Sequence, residues 1–352
     1  MDYKKTLEDL ILTVIREGGS DLHLGAGRVP GVRVSGELIF LTKQPPFSKE
    51  DILGILSAIL TKEKIDKFMA EQEADFAYNF RDEARLRGNA FFQKGQIGIV
   101  LRLVPKVQGL KELNLPPIIT DIVRKKQGFF LVVGPVGQGK STTLAAMVNA
   151  INTTEARNIV TIEDPIEHIH IPDRSIISQR EVGLDTQDFQ TALKSVFRED
   201  VNVIMIGEMR NPETMSIAVT AAETGHLVLS TLHTNNASQT IDRIIDSFPA
   251  GQQDQIRTQL AASLLGIFSQ RLVPRITGGL IPAYELLLNN NAVANLIREK
   301  RTHEIDVVIE TGSNTGMMDL NRSLIELVQK GEISIENAYQ YSLNPKGLER
   351  MV

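Results

Sequence analysis

Between Phe129 and Ala150 the chain reads FFLVVGPVGQGKSTTLAAMVNA. An apolar run stops at Gly134, a Gly-containing turn follows, and Lys140-Ser141 opens an Ala-rich segment. A wholly apolar strand running through a bare loop into a helix must be covered on both faces. That order commits the chain to an α/β layer architecture. The loop, made of Gly134, Pro135, Val136, Gly137, Gln138, Gly139, Lys140, Ser141 and Thr142, contains the spacing G-x-x-x-x-G-K-[ST]. Its glycines let backbone N–H groups turn inward around a phosphate with no Cβ in the way. The helix starting near Lys140 adds its positive dipole end to the same pocket. In such a loop Lys140 reaches the β- and γ-phosphates of a nucleotide and the Ser141 hydroxyl binds Mg²⁺. A glycine turn that merely happens to precede a lysine would lack the flanking strand and helix, and both are here.

Further along, NIVTIEDPIEH brings Glu163 and Asp164 to the carboxyl end of an apolar strand, which Pro165 stops, and VNVIMIGEMRNPE brings Glu208 to another. Ligands of open α/β sheets sit beyond these ends. A hydrolytic phosphate-loop enzyme needs acids there to orient a water and hold the metal's water shell. The bland alternative is acids merely exposed in loops, and two such ends beside the loop weigh against it. Gly207 stands where an Asp would usually help hold the metal, so the metal falls mainly to Ser141, phosphates and waters.

Residues 118–352 alternate apolar strands with helices up to HLVLSTLH, as a parallel sheet requires. From Gln252 helices are expected to dominate, with QIRTQLAASLLGIFSQRL carrying a stripe of Ile256, Leu260, Leu264, Ile267 and Phe268. Residues 1–104 read differently. A helix with Leu7, Leu10, Ile11, Val14 and Ile15 on one face precedes short alternating strands, with Ser35-Gly36 as a hairpin turn. This predicts a small α+β domain on an antiparallel sheet. The stretch 105–117, Pro-containing and without a clean period, reads as the linker.

His226 and His233 flank the apolar run LVLSTL. As metal ligands they are poorly placed at opposite ends of a strand, and no cysteine supports them. Two readings stay open for His226: a hydrogen-bonded structural residue, or a sensor of the γ-phosphate region. The chain has zero Cys, which excludes disulfides and thiolate metal sites. Net charge −5, no Trp and 5% aromatics argue against a nucleic-acid translocase, which needs basic and aromatic loops along a strand path, although a local basic patch would not show in the net charge. No signal-peptide pattern or membrane-length apolar run is present, so a cytoplasmic location without direct membrane insertion is expected.

GPVGQGKSTTLAAM, VTIEDPIEH, VIMIGEMRNPET and TAAETGHLVLSTLHTNNA resemble the Walker A, Asp-box, Walker B and His-box motifs of secretion-superfamily ATPases. Within that group the chain most resembles the type IV pilus retraction ATPases. The likeness runs almost end to end, through GGSDLHLGAG, VRVSGELIFL, RLRGNAF, SQREVG, FREDVNVI, IDRIIDSFP, SQRLVPR and NLIREK. It implies an N-terminal PAS-like domain and a C-terminal RecA-like P-loop ATPase domain, assembled as a homohexamer with ATP between protomers. It further implies ATP and Mg²⁺ on Lys140 and Ser141, and Glu163 and Glu208 serving the attacking water and the metal. His226 would couple the γ-phosphate to conformational change. The Gly-Glu ending of the Walker B strand is normal in this family. An arginine supplied in trans is expected on the γ-phosphate. Arg85 and Arg87, at i and i+2 of one strand, face the same way, and could equally be two solvated surface arginines; Arg198 is a third candidate. The loop departs from the family at Val136 and Gln138, where smaller polar residues are common.

The implied activity is a motor that removes pilin subunits from a pilus base, working on an inner-membrane platform protein and held peripherally at the cytoplasmic face of that membrane. An accessory retraction ATPase shares these motifs. Extension and secretion ATPases carry a zinc-binding Cys cluster that is absent here. A non-hydrolysing nucleotide scaffold would not need both Glu163 and Glu208.

Overall fold

Alternating apolar and polar positions in the first hundred residues pair into six antiparallel strands. The computed structural model describes residues 2–34, 36–81, 84–104 and 107–351, and the chain divides into two units, Met1–Lys106 and Val107–Val352. The first unit holds α1 (Tyr3–Arg16), β1 (Gly19–Gly25), β2 (Gly31–Val34), β3 (Glu37–Phe40), α2 (Lys49–Ile59), α3 (Lys62–Glu71), β4 (Glu73–Phe80), β5 (Ala84–Gln93) and β6 (Gln96–Leu103). The sheet order is β3-β2-β1-β6-β5-β4. Leu7, Leu10, Ile11 and Val14 of α1 bury against Leu22, Leu86, Ile99 and Leu101 of the sheet. Ile15, expected on that face, is 36% exposed at its edge. Val34 pairs with Glu37, as a tight hairpin demands; Ser35 of that turn lies outside the described residues.

The second unit contains α4 (Ile118–Val123), β7 (Gly128–Val133), α5 (Lys140–Thr154), β8 (Asn158–Glu163), β9 (Ile176–Glu181), α6 (Phe189–Val196), β10 (Val203–Ile206), α7 (Pro212–Glu223), β11 (Leu227–Leu232), α8 (Ala237–Asp246), α9 (Ala250–Ser263), β12 (Leu264–Pro274) and β13 (Leu280–Leu288). Helices α10 (Asn291–Arg298), α11 (Ile305–Thr311), α12 (Leu320–Gln329), α13 (Ile335–Tyr341) and α14 (Pro345–Glu349) complete it. The sheet order is β13-β12-β7-β11-β10-β8-β9. All neighbours are parallel except the β12–β13 pair. The apolar run of β7 feeds two cores at once. Phe129, Leu131 and Val133 enter the core with α6 to α9, while Phe130 and Val132 enter the core with α4 and α5. This is the RecA-like arrangement, and the first unit has the antiparallel sheet and helices of a PAS-like domain.

One expectation needs correction. The stripe from Ile256 to Phe268 is not one helix: α9 ends at Ser263 and Leu264–Pro274 is strand β12. Adjacent Ile267 and Phe268 bury into opposite cores, which only a strand's period of two allows. Gly266 permits the close approach to β13, since a Cβ there would meet the Leu287 carbonyl oxygen at 2.4 Å. Part of the 105–117 stretch packs on the second unit. Leu115 is buried in the second unit's core, with Leu110 and Leu113 packed against it. Of the remaining linker, Pro105 and Lys106 lie outside the described residues. Among the described residues no helix is long and apolar enough to cross a membrane.

Candidate nucleotide site

Because the strands are parallel, the carboxyl ends of β7, β8, β10 and β11 share one edge of the sheet. A cleft of about 570 Å³ opens there, lined by residues 136–142, Glu163, Asp164, Glu167, His168, His170, Glu208, Arg210, Thr231 and His233, among others. After β7 the chain turns at Gly134 with φ +146, where a Cβ would sit 2.4 Å from the Gln270 carbonyl oxygen. Gly139 begins α5 in the left-handed region and supplies no side-chain cap. By contrast α6, α7, α8 and α10 are capped by Asp188, Asn211, Asn236 and Asn290. The first-turn N–H groups of α5 are therefore left for an anion.

Lys140 is only 7% exposed. Its ammonium donates to the Gly134 and Pro135 carbonyls, both at 2.8 Å, and to His233 Nδ1 at 3.1 Å. Burial pulls its pKa down, opposed by the charges of Glu208 and Glu167. With Nδ1 accepting from Lys140, the Nε2–H of His233 is the atom that faces Glu208 Oε1, 3.2 Å away. Arg210 Nε donates to the other oxygen of Glu208 at 3.0 Å. Glu208 is thus clamped between a histidine and an arginine, with Lys140 one contact further on.

Glu163 ends β8 beside it and is 8% exposed. Burial raises its pKa, while Thr161 Oγ1 at 2.7 Å and Gln179 Nε2 at 3.2 Å donate to its Oε1 and pull the other way. Gly207 lies beside it: a Cβ on it would stand 3.4 Å from Glu163 Cα, in ordinary contact. An Asp in its place would press a second carboxylate on a buried one. The loop after β8 is tied over α5 by buried Asn152, which donates to the Ile171 carbonyl at 2.8 Å and accepts from Asp173 N at 3.0 Å. That loop brings His170 into the wall, where burial pushes its pKa down to about 4, so this histidine adds no charge at neutral pH.

Of the residues singled out from sequence, the loop 134–142, Glu163 and Glu208 come together. Ser141 and Thr142 open onto the cleft at the start of α5. His226 does not belong there. It precedes β11, whose first residue Leu227 pairs with Gly128, and the Gly128 N–H donates to the His226 carbonyl at 3.0 Å. That is the amino edge of the sheet, about 20 Å from the loop at roughly 3.3 Å per strand residue. Its Nδ1 meets the Ala221 carbonyl at 3.0 Å and its ring meets Phe197 edge-on at 5.6 Å. The contact with the phosphate loop is made by His233 instead. Strand direction alone distinguishes the two: whichever histidine follows the strand must lie on the same edge as the loop that follows β7. Arg210 gave no sequence signal beyond sitting two residues after Glu208. Arg198, exposed in the segment after α6, does not line the cleft. Arg85 and Arg87 share the outward face of β5, Arg87 exposed and Arg85 half-buried, with Leu86 buried between them.

Comparison with known proteins identifies the family. The sequence profile of the type II/IV secretion system protein family matches residues 98–279. The Pseudomonas aeruginosa type IV pilus retraction ATPase PilT is 41% identical over 97% of this chain and 99% of its own length. The chain belongs to the type II/IV secretion system family. Another member, the P. aeruginosa type IV pilus ATPase PilU, is 39% identical over 98% of this chain and 91% of its own. Among solved structures, that of the pilus retraction motor PilT with bound ADP has a TM-score of 0.91 at 43% identity, covering 98% of this chain and 99% of that one. In this family member, therefore, the fold and nearly the whole length follow the retraction ATPases.

Proposed function

We propose that this protein is an ATPase motor that powers type IV pilus retraction, and with it twitching motility. The observation that carries the reading is a phosphate loop and two strand-end carboxylates at one sheet edge, in a chain alike almost end to end to a pilus retraction ATPase. ATP lies with its phosphates in the loop 134–142. Lys140 exchanges the Gly134 and Pro135 carbonyls for β- and γ-phosphate oxygens, and the uncapped first turn of α5 donates to them. Glu208 orients a water and takes its proton as the new bond to the γ-phosphorus forms and the bridging oxygen leaves with ADP. His233 and Arg210 hold the carboxylate for that step, and Glu163 anchors the water shell. The donors facing the cleft, the Ser141 hydroxyl and two carboxylates, are hard oxygens that suit Mg²⁺. Among the described residues no three acidic or histidine side chains converge as a metal cage, so Ser141 would hold the ion together with phosphate oxygens. The ion would neutralise charge on the phosphates.

The working form is a homohexamer in which Arg85 and Arg87 of one protomer's N-terminal domain meet the γ-phosphate held by its neighbour. ATP-driven opening and closing of the ring's interfaces turns an inner-membrane platform protein, with the ring docked on the cytoplasmic face. The domains are residues 1–104 and 118–352, with the connection between them. A second reading is an accessory retraction ATPase, which shares the same motifs.

The test is Glu208→Gln in the native host, with folding confirmed and surface pili counted. The expected result is more pili with loss of surface motility. Fewer pili would make the protein an assembly motor. Unchanged pili, with motility lost only alongside a second retraction ATPase, would favour the accessory reading.

A further inference from the structure

The phosphate loop is fastened to a strand that does not belong to it. β7 pairs with β12 as far as Val133 opposite Ser269, and at Gly134 the chain turns away. β12 continues to Pro274. On its other side Leu272 stands opposite Pro282 of β13. The Leu272 N–H donates to the side-chain Oε1 of Gln138, at 2.7 Å. A loop side chain thus takes the place that a longer β7 would have filled.

The same residue is held a second time through its backbone. Gln270 Nε2 donates to the Gln138 carbonyl at 2.8 Å, and Gln270 Oε1 accepts from Thr143 Oγ1 of α5 at 2.7 Å. Gln270 is 3% exposed. The neighbouring Gly139 packs on the same pair, since a Cβ there would come 3.1 Å from Gln270 Nε2 and 3.2 Å from Leu272 Cδ1. Loop, strand and helix start are closed into one ring of hydrogen bonds around residue 138.

We propose that the Gln138 side chain is a positioning strut that holds the phosphate loop in its binding shape before nucleotide arrives, so that it sets nucleotide affinity. Its reach is what matters. A serine at this position, with its hydroxyl on Cβ, would leave Leu272 N–H without this partner. The loop, carrying left-handed Gly137 and Gly139, would then be ordered at the expense of binding. Gln138 touches the chemistry only through the loop, so its loss falls on binding more than on turnover. The inference rests on the nucleotide-site reading above.

The test uses the purified full chain. Gln138→Met keeps the length and removes the acceptor. Its expected effect is a fivefold to tenfold rise, roughly one hydrogen bond's worth, in the dissociation constant for fluorescent ADP and in KM for ATP, with kcat moving less than KM. In nucleotide-free protein the Leu272 amide is expected to exchange hydrogen faster in Gln138→Met, and at the wild-type rate in Gln138→Glu, which restores an acceptor. The melting temperature of each variant checks folding. Unchanged affinity with unchanged Leu272 exchange overturns the proposal, as does a fall in kcat with KM unmoved. Wild-type protein that binds no ADP at all would break the reading of the site itself, while the Leu272 exchange would still decide whether the strut exists.

Discussion

At the carboxyl end of β11, His233 accepts from Lys140 and faces Glu208 at 3.2 Å. At the amino end His226 meets a backbone carbonyl and the edge of Phe197. The intervening strand is wholly buried, Leu227 to Leu232. One residue type on one strand therefore meets two unrelated environments. The carboxyl edge is where the chain leaves each strand, so loops, glycines and uncapped helix ends collect there and backbone donors remain for a ligand. At the amino edge helices return to the sheet, and polar side chains serve to close local turns.

The largest contrast between the two edges should come from Lys140→Ala. Steady-state ATP hydrolysis is expected to fall at least about a hundredfold, the scale for losing one charged donor to a reacting phosphate. Retained turnover would detach the carboxyl edge from the chemistry.

His233→Ala comes next. It frees Glu208 from one of its two side-chain partners and should lower kcat about tenfold or more, within the range for a misplaced catalytic base. Nucleotide affinity, measured with fluorescent ADP, should move less. A His226→Ala variant with the larger loss of kcat would reverse the assignment of the two ends.

A third test concerns stability at the carboxyl edge. Glu285 of β13, opposite Ser269, is buried, and burial pushes its pKa up to about 7 although the Ala237 N–H donates to it at 2.7 Å. A carboxyl whose folded pKa lies above its unfolded value of 4.5 favours the native state most below pH 4.5. That contribution is lost as pH rises through 7. Between pH 5 and pH 8 the wild type should lose up to about 3 kcal/mol from this group, whereas Glu285→Gln should flatten the profile. Thermal melts of both proteins across that range check it. Parallel profiles would mean Glu285 is paired more fully than its surroundings indicate.

The smallest effect is expected at the amino edge. His226→Ala removes a half-buried hydrogen bond and an aromatic edge, about 1 kcal/mol of stability. Its kcat should stay within about twofold of wild type. Together with His233→Ala this separates a structural from a functional histidine in one pair of assays.

Much of this was legible in the chain itself. The loop from Gly134 to Ser141, the acids at the ends of β8 and β10, and the change from alternating to alternating-with-helix patterns are all local. Each depends on residues within a few positions of one another, where periodicity and backbone sterics act directly. β12, β13 and β9 were not legible in that way. The run through Ile267 and Phe268 suits a helix until Leu287 and Phe130 stand on either side of it, because a strand between two others takes its identity from partners far along the chain.

The site divides along the same line. Sequence by itself determined that Gly134 to Ser141 would link a strand to a helix in the pattern of a phosphate loop, and that Glu163 and Glu208 would stand at strand ends, since those features are met within single motifs. Only the tertiary structure decided that His233 and Arg210 clamp Glu208, that Gly207 lies against Glu163, and that Gln138 is held by β12. Those are contacts between segments, fixed by which strand lies beside which and in which direction it runs. A hydrogen bond of 2.7 Å between Gln138 and Leu272 spans 134 positions of chain, and no local pattern encodes that distance.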